Sequence, residues 1–151
     1  MMLLPDAVVE TASLRANATY TRYRRIDQAS YEYAEAAVPD AIVRLACEVT
    51  ARPLRVISSR LLRLVPGDYT LAHHGYIEEP AVELVLDVSP AAVPDAAVHY
   101  RRRGNVVFAM PSQPGALAVV ERGPTITSNH TYVSKRYPGV EVVRLVALLR
   151  E

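Results

Sequence analysis

The spacing of hydrophobic residues along this chain changes near residue 54. Before that point, one segment carries apolar side chains at intervals of three and four residues, namely Ile42, Leu45, Ala46 and Val49. This period predicts an amphipathic helix over residues 39–51, with Pro39 in its first turn. After Pro53 the pattern changes to short β-branched runs separated by Gly and Pro. We therefore expect a helical or mixed part over residues 1–53 and a β-rich part over residues 54–151.

Eight runs in the second part have the length and composition of β-strands. They cover residues 54–64, 69–74, 82–88, 97–102, 106–110, 116–121, 125–133 and 140–149. Turn-forming residues separate them, as in Pro66-Gly67-Asp68 and Pro138-Gly139. This order predicts a mainly β protein with N-terminal helices, an α+β chain built as a jelly-roll barrel or sandwich with a helix against one sheet.

Length and composition limit the number of domains. The chain has 151 residues, of which 50% are hydrophobic and 22% are charged. A chain of this size buries one sizeable core but not two. No linker, repeat or low-complexity tract divides it, so residues 1–151 are expected to form a single domain.

The charges are nearly balanced, with Lys+Arg 17 against Asp+Glu 16 and a formal net charge of +1. No global field would therefore attract nucleic acid or an anionic membrane. Three adjacent arginines at positions 101–103 precede Gly104-Asn105, which is typical of a solvated hairpin tip. We expect a small-molecule or peptide partner, and neither nucleic acid nor a membrane. The oligomeric state is left open, with a homodimer as the candidate assembly.

The cysteine count and the first residues bear on location. Cys47 is the single cysteine, which excludes an intramolecular disulfide framework and is typical of a reducing compartment. The opening segment has no basic stretch, and Pro5 interrupts its apolar run, unlike a signal peptide or a membrane span. The expected location is the cytoplasm.

Candidate chemistry is concentrated in residues 63–75, RLVPGDYTLAHHG. In a strand, side chains alternate, so His73 and Gly75 share one face while His74 points to the other. A facial-triad iron(II) site needs two imidazoles and one carboxylate on one side of the metal.

Arg144 lies in the apolar run 142–149, where burial is costly unless an anion or a carboxylate compensates the charge. Glu121 is the alternative partner for Arg144 if no anion is bound.

Several segments resemble a known family. Residues 63–75 resemble the "Y-x-P-G-D-F-x-x-x-H-x-D" strand of prolyl-hydroxylase-like 2-oxoglutarate/iron(II) dioxygenases, and residues 111–120 resemble that family's "P-x-x-G-x-L-v-l-F" strand. Residues 130–133 are similar to its "H-x-V", and residues 142–146 to the strand with the basic residue that binds 2-oxoglutarate. The resemblance covers residues 54–149. It implies a double-stranded β-helix, of jelly-roll or cupin-like form, with Fe(II) and 2-oxoglutarate as cofactors.

Carried over by position, the resemblance implies that His73 and His130 are metal ligands and that Arg144 anchors 2-oxoglutarate. Gly75 stands where the family has its ligand aspartate, and Leu64 where it often has a tyrosine. Two neutral imidazoles alone hold iron(II) more weakly than a triad with a carboxylate. Three outcomes follow for the carboxylate missing at Gly75. A halide takes its place on the metal, or no metal is bound, or another acidic residue supplies the ligand, the candidates being Glu78, Glu79 and Asp87.

Two classes of function follow from these residues. The first is an oxygenase-like enzyme with a degenerate or altered metal site, which hydroxylates or halogenates a small molecule or a peptide side chain. The second is a non-catalytic binding module that keeps the barrel and its pocket but has lost turnover. A cupin-like metal-binding protein is a third interpretation, although cupins usually group more histidines. No motif identifies a substrate.

Overall fold

The computed structural model describes residues 1–24, 29–71 and 77–151. Within these ranges the chain forms ten strands and two helices, in the order β1 Met2–Leu4, α1 Ala12–Arg15, β2 Thr21–Arg24, β3 Ser30–Glu35, α2 Asp40–Thr50, β4 Arg55–Leu64, β5 Ala81–Asp87, β6 Ala97–Arg102, β7 Asn105–Pro111, β8 Leu117–Arg122, β9 Thr127–His130 and β10 Val142–Arg150. Seven of the predicted strands correspond to β4–β10. Of the predicted strand 69–74, Tyr69 forms an isolated bridge with Ser30, and residues 72–74 lie outside the described ranges.

The strands form two antiparallel sheets. The larger sheet has the order β1-β8-β5-β10-β4-β3-β2, and the smaller sheet has the order β7-β6-β9. The predicted mainly β, jelly-roll architecture is therefore confirmed. Among the described residues, no helix is both long and apolar enough to cross a lipid bilayer.

The N-terminal part contributes more strand than its sequence pattern predicted. β1 pairs with β8 at one edge of the larger sheet, while β3 pairs with β4 and carries β2 at the other edge. β3 contains Ala and Glu, which favour helices, yet its tyrosines Tyr31 and Tyr33 pack with buried residues of β4 and β10. Tertiary packing thus overrides local preference in this segment.

The predicted helix is confirmed as α2. Its buried residues Ile42 and Ala46 pack on the outer face of the larger sheet, in one cluster with Leu84 and Leu145. The helix ends at Thr50. The next residue, Ala51, adopts a left-handed conformation with φ 55° and donates its N–H to the Cys47 and Glu48 carbonyls. The larger sheet is consequently covered on both faces.

This double burial places charged side chains inside the protein. In β5, Val82, Leu84 and Leu86 face the helix side, so the alternating residues Glu83 and Asp87 face the smaller sheet. The same alternation in β10 turns Arg144 inward between two residues that face α2. We call the space between the two sheets the inter-sheet interior. It is where the ionisable residues of the central strands meet.

Gly115, in the turn before β8, is in close contact with the N-terminal segment. Its φ is +88°, and its backbone binds the Val8 N–H at 3.1 Å and the Asp87 carbonyl at 2.8 Å. A Cβ atom at this position would overlap the Val8 carbonyl oxygen. The glycine is therefore required both by its backbone conformation and by space.

We expect Gly115→Ala to lower the free energy of unfolding by about 2 kcal/mol, because strain and overlap add. Gly104→Ala is the matched control, since Gly104 has φ +80° but nothing within 4 Å of the added Cβ. That control should lose only about 1 kcal/mol from strain. Urea denaturation measures both. Equal losses would mean that the Val8 contact imposes no constraint.

Candidate ligand site between the sheets

A pocket opens into the inter-sheet interior. Its cavity volume is about 70 Å³, and part of it is open to solvent. Residues of both sheets line it, among them Tyr31, Arg60, Thr70, Glu83, Ser128 and His130. Because polar and charged groups converge here within an otherwise apolar core, this pocket is the candidate functional site.

His130 is the last residue of β9 and is only 6% exposed. Its backbone is tied to the segment that follows β4: its N–H donates to the Thr70 Oγ1 at 2.8 Å, and its carbonyl accepts the Thr70 N–H at 3.0 Å. Thr70 stands three positions before His73 in the sequence. The two histidine-bearing segments singled out by the sequence are thus neighbours at this point.

Arg144 lies in the middle of β10 and is 1% exposed. Its Nη1 is 2.9 Å from His130 Nδ1, and its Nη2 donates to the Ala96 carbonyl at 3.3 Å, while its Nε has no hydrogen-bond partner. Within the described ranges, no carboxylate forms an ion pair with it. The structure therefore brings together two of the residues predicted from the sequence, and it satisfies a buried cation only with neutral groups.

The contact between Arg144 and His130 determines where the imidazole proton is. A guanidinium has donors only, so His130 Nδ1 must accept, and the proton of the neutral ring is then on Nε2. A metal binds a ring nitrogen that carries no proton. In this arrangement neither ring nitrogen offers a lone pair, and metal binding by His130 requires that Arg144 first release Nδ1.

Positive charge surrounds His130. Burial, followed by the charges of Arg144, Arg60 and Arg122, lowers the pKa of His130 well below its usual range. Burial also lowers the pKa of Arg144 to about 10, against the opposing effect of Asp87. Among these three arginines, Arg122 is ion-paired with Glu83, so an anion placed near His130 would be attracted mainly by Arg144 and Arg60.

The lowered pKa of His130 predicts a pH-dependent stability. Below about pH 6.5 the unfolded chain binds a proton that the folded protein does not take up, so stability is lost as the pH falls. The slope from one such group approaches about 1.4 kcal/mol per pH unit. Urea denaturation of chelator-treated protein between about pH 7 and about pH 5 measures it.

His130→Gln is expected to flatten this dependence. His99, whose pKa is also lowered by burial and by Arg101, contributes in the same direction in both proteins and therefore cancels in the comparison. For Glu32, burial raises the pKa but hydrogen bonds from Arg22 and Arg63 lower it below its usual value, so its contribution is lost only at lower pH. Identical slopes for wild type and variant would contradict the assignment to His130.

A second buried group of ionisable residues was not singled out from the sequence. Glu83 Oε1 accepts Arg122 Nη1 at 2.7 Å, and its Oε2 accepts the Tyr100 hydroxyl at 2.5 Å. Burial, then the Glu83 charge, raises the pKa of Tyr100 well above its usual range. The available signal was Glu83 in the middle of the apolar strand AVELVLD, on the same face as Asp87.

The acidic residues considered as replacements for the missing metal-ligand carboxylate are either exposed on the surface or already hydrogen-bonded to other groups. Asp87 accepts the backbone N–H groups of Ser89 at 2.9 Å and Gln113 at 2.7 Å. Glu78 is exposed, and Glu79 is 75% exposed and 3.5 Å from Arg150. Glu121, the alternative partner for Arg144, instead binds Arg52 at 3.0 Å on the other face of the larger sheet.

His73, His74 and Gly75 lie outside the described residues. Across residues 1–24, 29–71 and 77–151, no three His, Cys, Asp or Glu side chains are grouped as metal ligands would be. The described residues thus do not assemble a site for iron. They do fit a carboxylate, because Arg144 is a buried donor with an unsatisfied Nε.

No protein-family model matches this sequence, and no curated protein is detectably similar to it. Solved structures do match. An oxidoreductase of the 2OG-Fe(II) oxygenase family from Burkholderia pseudomallei aligns with a TM-score of 0.64 at 9% identity, over 91% of this chain and 75% of its own. HygX from Streptomyces hygroscopicus, solved with nickel and 2-oxoglutarate, aligns with a TM-score of 0.65 at 12% identity, over 98% and 81%.

A predicted oxalate decarboxylase from Thermotoga maritima also aligns, with a TM-score of 0.52 at 11% identity, over 95% of this chain and 99% of its own. At these identities the likeness concerns the arrangement of strands. The chain therefore has the double-stranded β-helix fold found in 2-oxoglutarate/iron(II) oxygenases.

Proposed function

We propose that this protein binds a small organic carboxylate in its inter-sheet pocket, with Arg144 as the anchor, and that it is a binding module on an oxygenase fold. One observation carries the proposal: Arg144 is buried, and none of the described carboxylates hydrogen-bonds it. The first candidate ligand is 2-oxoglutarate.

The argument rests on the cost of burying a charge. A guanidinium removed from water loses several kcal/mol of solvation, which a neutral imidazole and one peptide carbonyl compensate only in part. A ligand carboxylate would accept from the guanidinium in charge-assisted hydrogen bonds, which are about twice as strong as neutral ones. The nearby charge of Arg60 favours the same ligand.

The choice of 2-oxoglutarate has two supports. HygX, which shares the fold, was solved with 2-oxoglutarate bound. In addition, Arg144 occupies the position at which the sequence resemblance implies the 2-oxoglutarate anchor. A small acid as partner also agrees with the near-neutral chain, which has no basic surplus for nucleic acid.

Isothermal titration of chelator-treated protein with 2-oxoglutarate tests the proposal. Saturable binding at a single site is the expected result, and it should persist in Arg44→Gln, which removes an exposed arginine from α2 outside the pocket. Absence of binding by 2-oxoglutarate and by every other small carboxylate would overturn the proposal.

A second candidate function is an oxygenase or halogenase with a metal held by His73 and His130. The observation that favours it is the pairing of Thr70 with His130, which ties the chain three positions before His73 to β9. A carboxylate that takes Arg144 would release His130 Nδ1, so anion binding and metal binding are expected to be coupled. A small molecule or a peptide side chain would be the substrate.

Anaerobic titration with Fe(II), with and without 2-oxoglutarate and chloride, separates the two functions. A metal-to-ligand charge-transfer band that requires 2-oxoglutarate supports the enzyme. Binding of 2-oxoglutarate without any iron signal supports the binding module. Gly75→Asp restores the carboxylate of the motif: iron binding that appears only in this variant indicates a decayed oxygenase site.

A further inference from the structure

Arg60 is an arginine that lines the pocket. It lies on β4, two positions from Leu62, and Leu62 is the residue opposite Arg144 in β10. Residues two apart on a strand point to the same face, so Arg60 and Arg144 are diagonal neighbours on the inner face of the larger sheet. Such neighbours have Cα atoms about 7–8 Å apart.

The side chain of Arg60 is held in place without an ion pair. Its guanidinium lies 5.8 Å from the ring centroids of both Tyr31 and Tyr33. Glu35 is opposite Arg60 in the β3–β4 register, yet these two side chains form no salt bridge, and no other described carboxylate forms one with Arg60. The aromatic contacts orient the cation while leaving its N–H groups available to a ligand.

The two cations lie at different depths. Arg144 is buried at 1% exposure and contacts the lining residue His130, whereas Arg60 is solvent-exposed and lines the pocket itself. The two acids near the pocket are already engaged, Glu83 by Arg122 and Tyr100, and Asp87 by backbone amides. Two positive groups therefore remain without an anionic partner among the described residues.

We infer that Arg60 binds the second carboxylate of the ligand, so that the pocket selects short aliphatic dicarboxylates over monocarboxylates and does so without a metal. This inference rests on the proposed function, because it takes Arg144 as the site of the first carboxylate. The spacing of the two arginines suits a ligand with a carboxylate at each end of a short chain. A single cation at Arg144 binds one carboxylate of either kind of ligand. A second guanidinium at Arg60 adds charge-assisted hydrogen bonds that only a ligand with a second carboxylate can accept.

Calorimetric titration of chelator-treated protein with succinate and with butyrate tests the inference. The two ligands have the same carbon chain length, and butyrate lacks the second carboxylate. Succinate should bind at least about tenfold more tightly. Arg60→Gln should weaken succinate by about tenfold and leave butyrate unchanged, whereas Arg44→Gln should change neither.

The outcomes separate this inference from the proposed function. Equal affinities of wild type for succinate and butyrate overturn the role of Arg60 while the carboxylate site at Arg144 stands. Equal weakening of both ligands in Arg60→Gln also overturns it, because the effect is then not specific to the second carboxylate. If wild type binds 2-oxoglutarate but neither of these acids, this inference fails while the proposed function stands. If it binds none of the three, both fail together. Retained butyrate binding in Arg60→Gln shows at the same time that the variant is folded.

Discussion

Arg144→Met is expected to abolish carboxylate binding and to leave the protein at least as stable as wild type. The guanidinium is 1% exposed, and its hydrogen-bond partners, His130 and the Ala96 carbonyl, are neutral. Replacing buried charges with hydrophobic groups of similar volume is often neutral or stabilising, here by about 1 kcal/mol or more. Ligand affinity should fall by at least about a hundredfold, since the removed contacts are charge-assisted.

Calorimetry with 2-oxoglutarate and urea denaturation without ligand measure the two effects. In this variant His130 Nδ1 loses its hydrogen-bond donor, at a cost of about 1–3 kcal/mol that removal of the buried charge is expected to offset. A gain in stability together with lost binding would show that Arg144 is retained for the ligand. A loss of about 3 kcal/mol or more would instead show that the arginine holds the fold together, and it would remove the main support for the anion site.

Glu83→Leu is expected to destabilise the protein by about 3–5 kcal/mol. Glu83 is the ion-pair partner of Arg122, whose side chain is 1% exposed, and it also accepts the Tyr100 hydroxyl. Removing the carboxylate leaves a buried cation and a buried hydroxyl without that acceptor. Glu79→Gln, which removes an exposed partner of Arg150, should change stability by less than about 0.5 kcal/mol.

The double variant Glu83→Leu/Arg122→Leu shows whether charge or packing is responsible. If the loss comes from the uncompensated charge of Arg122, removing both partners should restore much of the stability. Urea denaturation of wild type, the two single variants and the double variant gives the coupling free energy. A double variant that is as unstable as the sum of the singles would mean that the carboxylate and the guanidinium act independently.

The strands of the second part could be predicted closely because their signals are local. β6 was predicted with its observed bounds, Ala97–Arg102, and α2 within one residue at each end. Turn residues and β-branched runs determine such elements over a few positions. β3 was not predicted, because its Ala and Glu residues favour a helix, and only the packing of Tyr31 and Tyr33 against β4 and β10 makes it a strand.

For the site, the family resemblance was sufficient to select His130 and Arg144, and the structure places Arg144 Nη1 2.9 Å from His130 Nδ1. Their roles as ligand and anchor stay predictions. The metal position at His73 and Gly75 also stays a prediction, since both lie outside the described residues.

Local patterns were therefore enough to locate β4–β10 and α2, and the family resemblance supplied two residues of the site. Three-dimensional pairing alone revealed the rest: that Glu83 neutralises Arg122, that Asp87 binds backbone amides, and that Arg60 is a diagonal neighbour of Arg144. Apart from Asp87 and Ser89, these partners are separated by tens of residues in the chain. They are matched by strand register and by burial, and neither property can be read from a run of neighbouring residues.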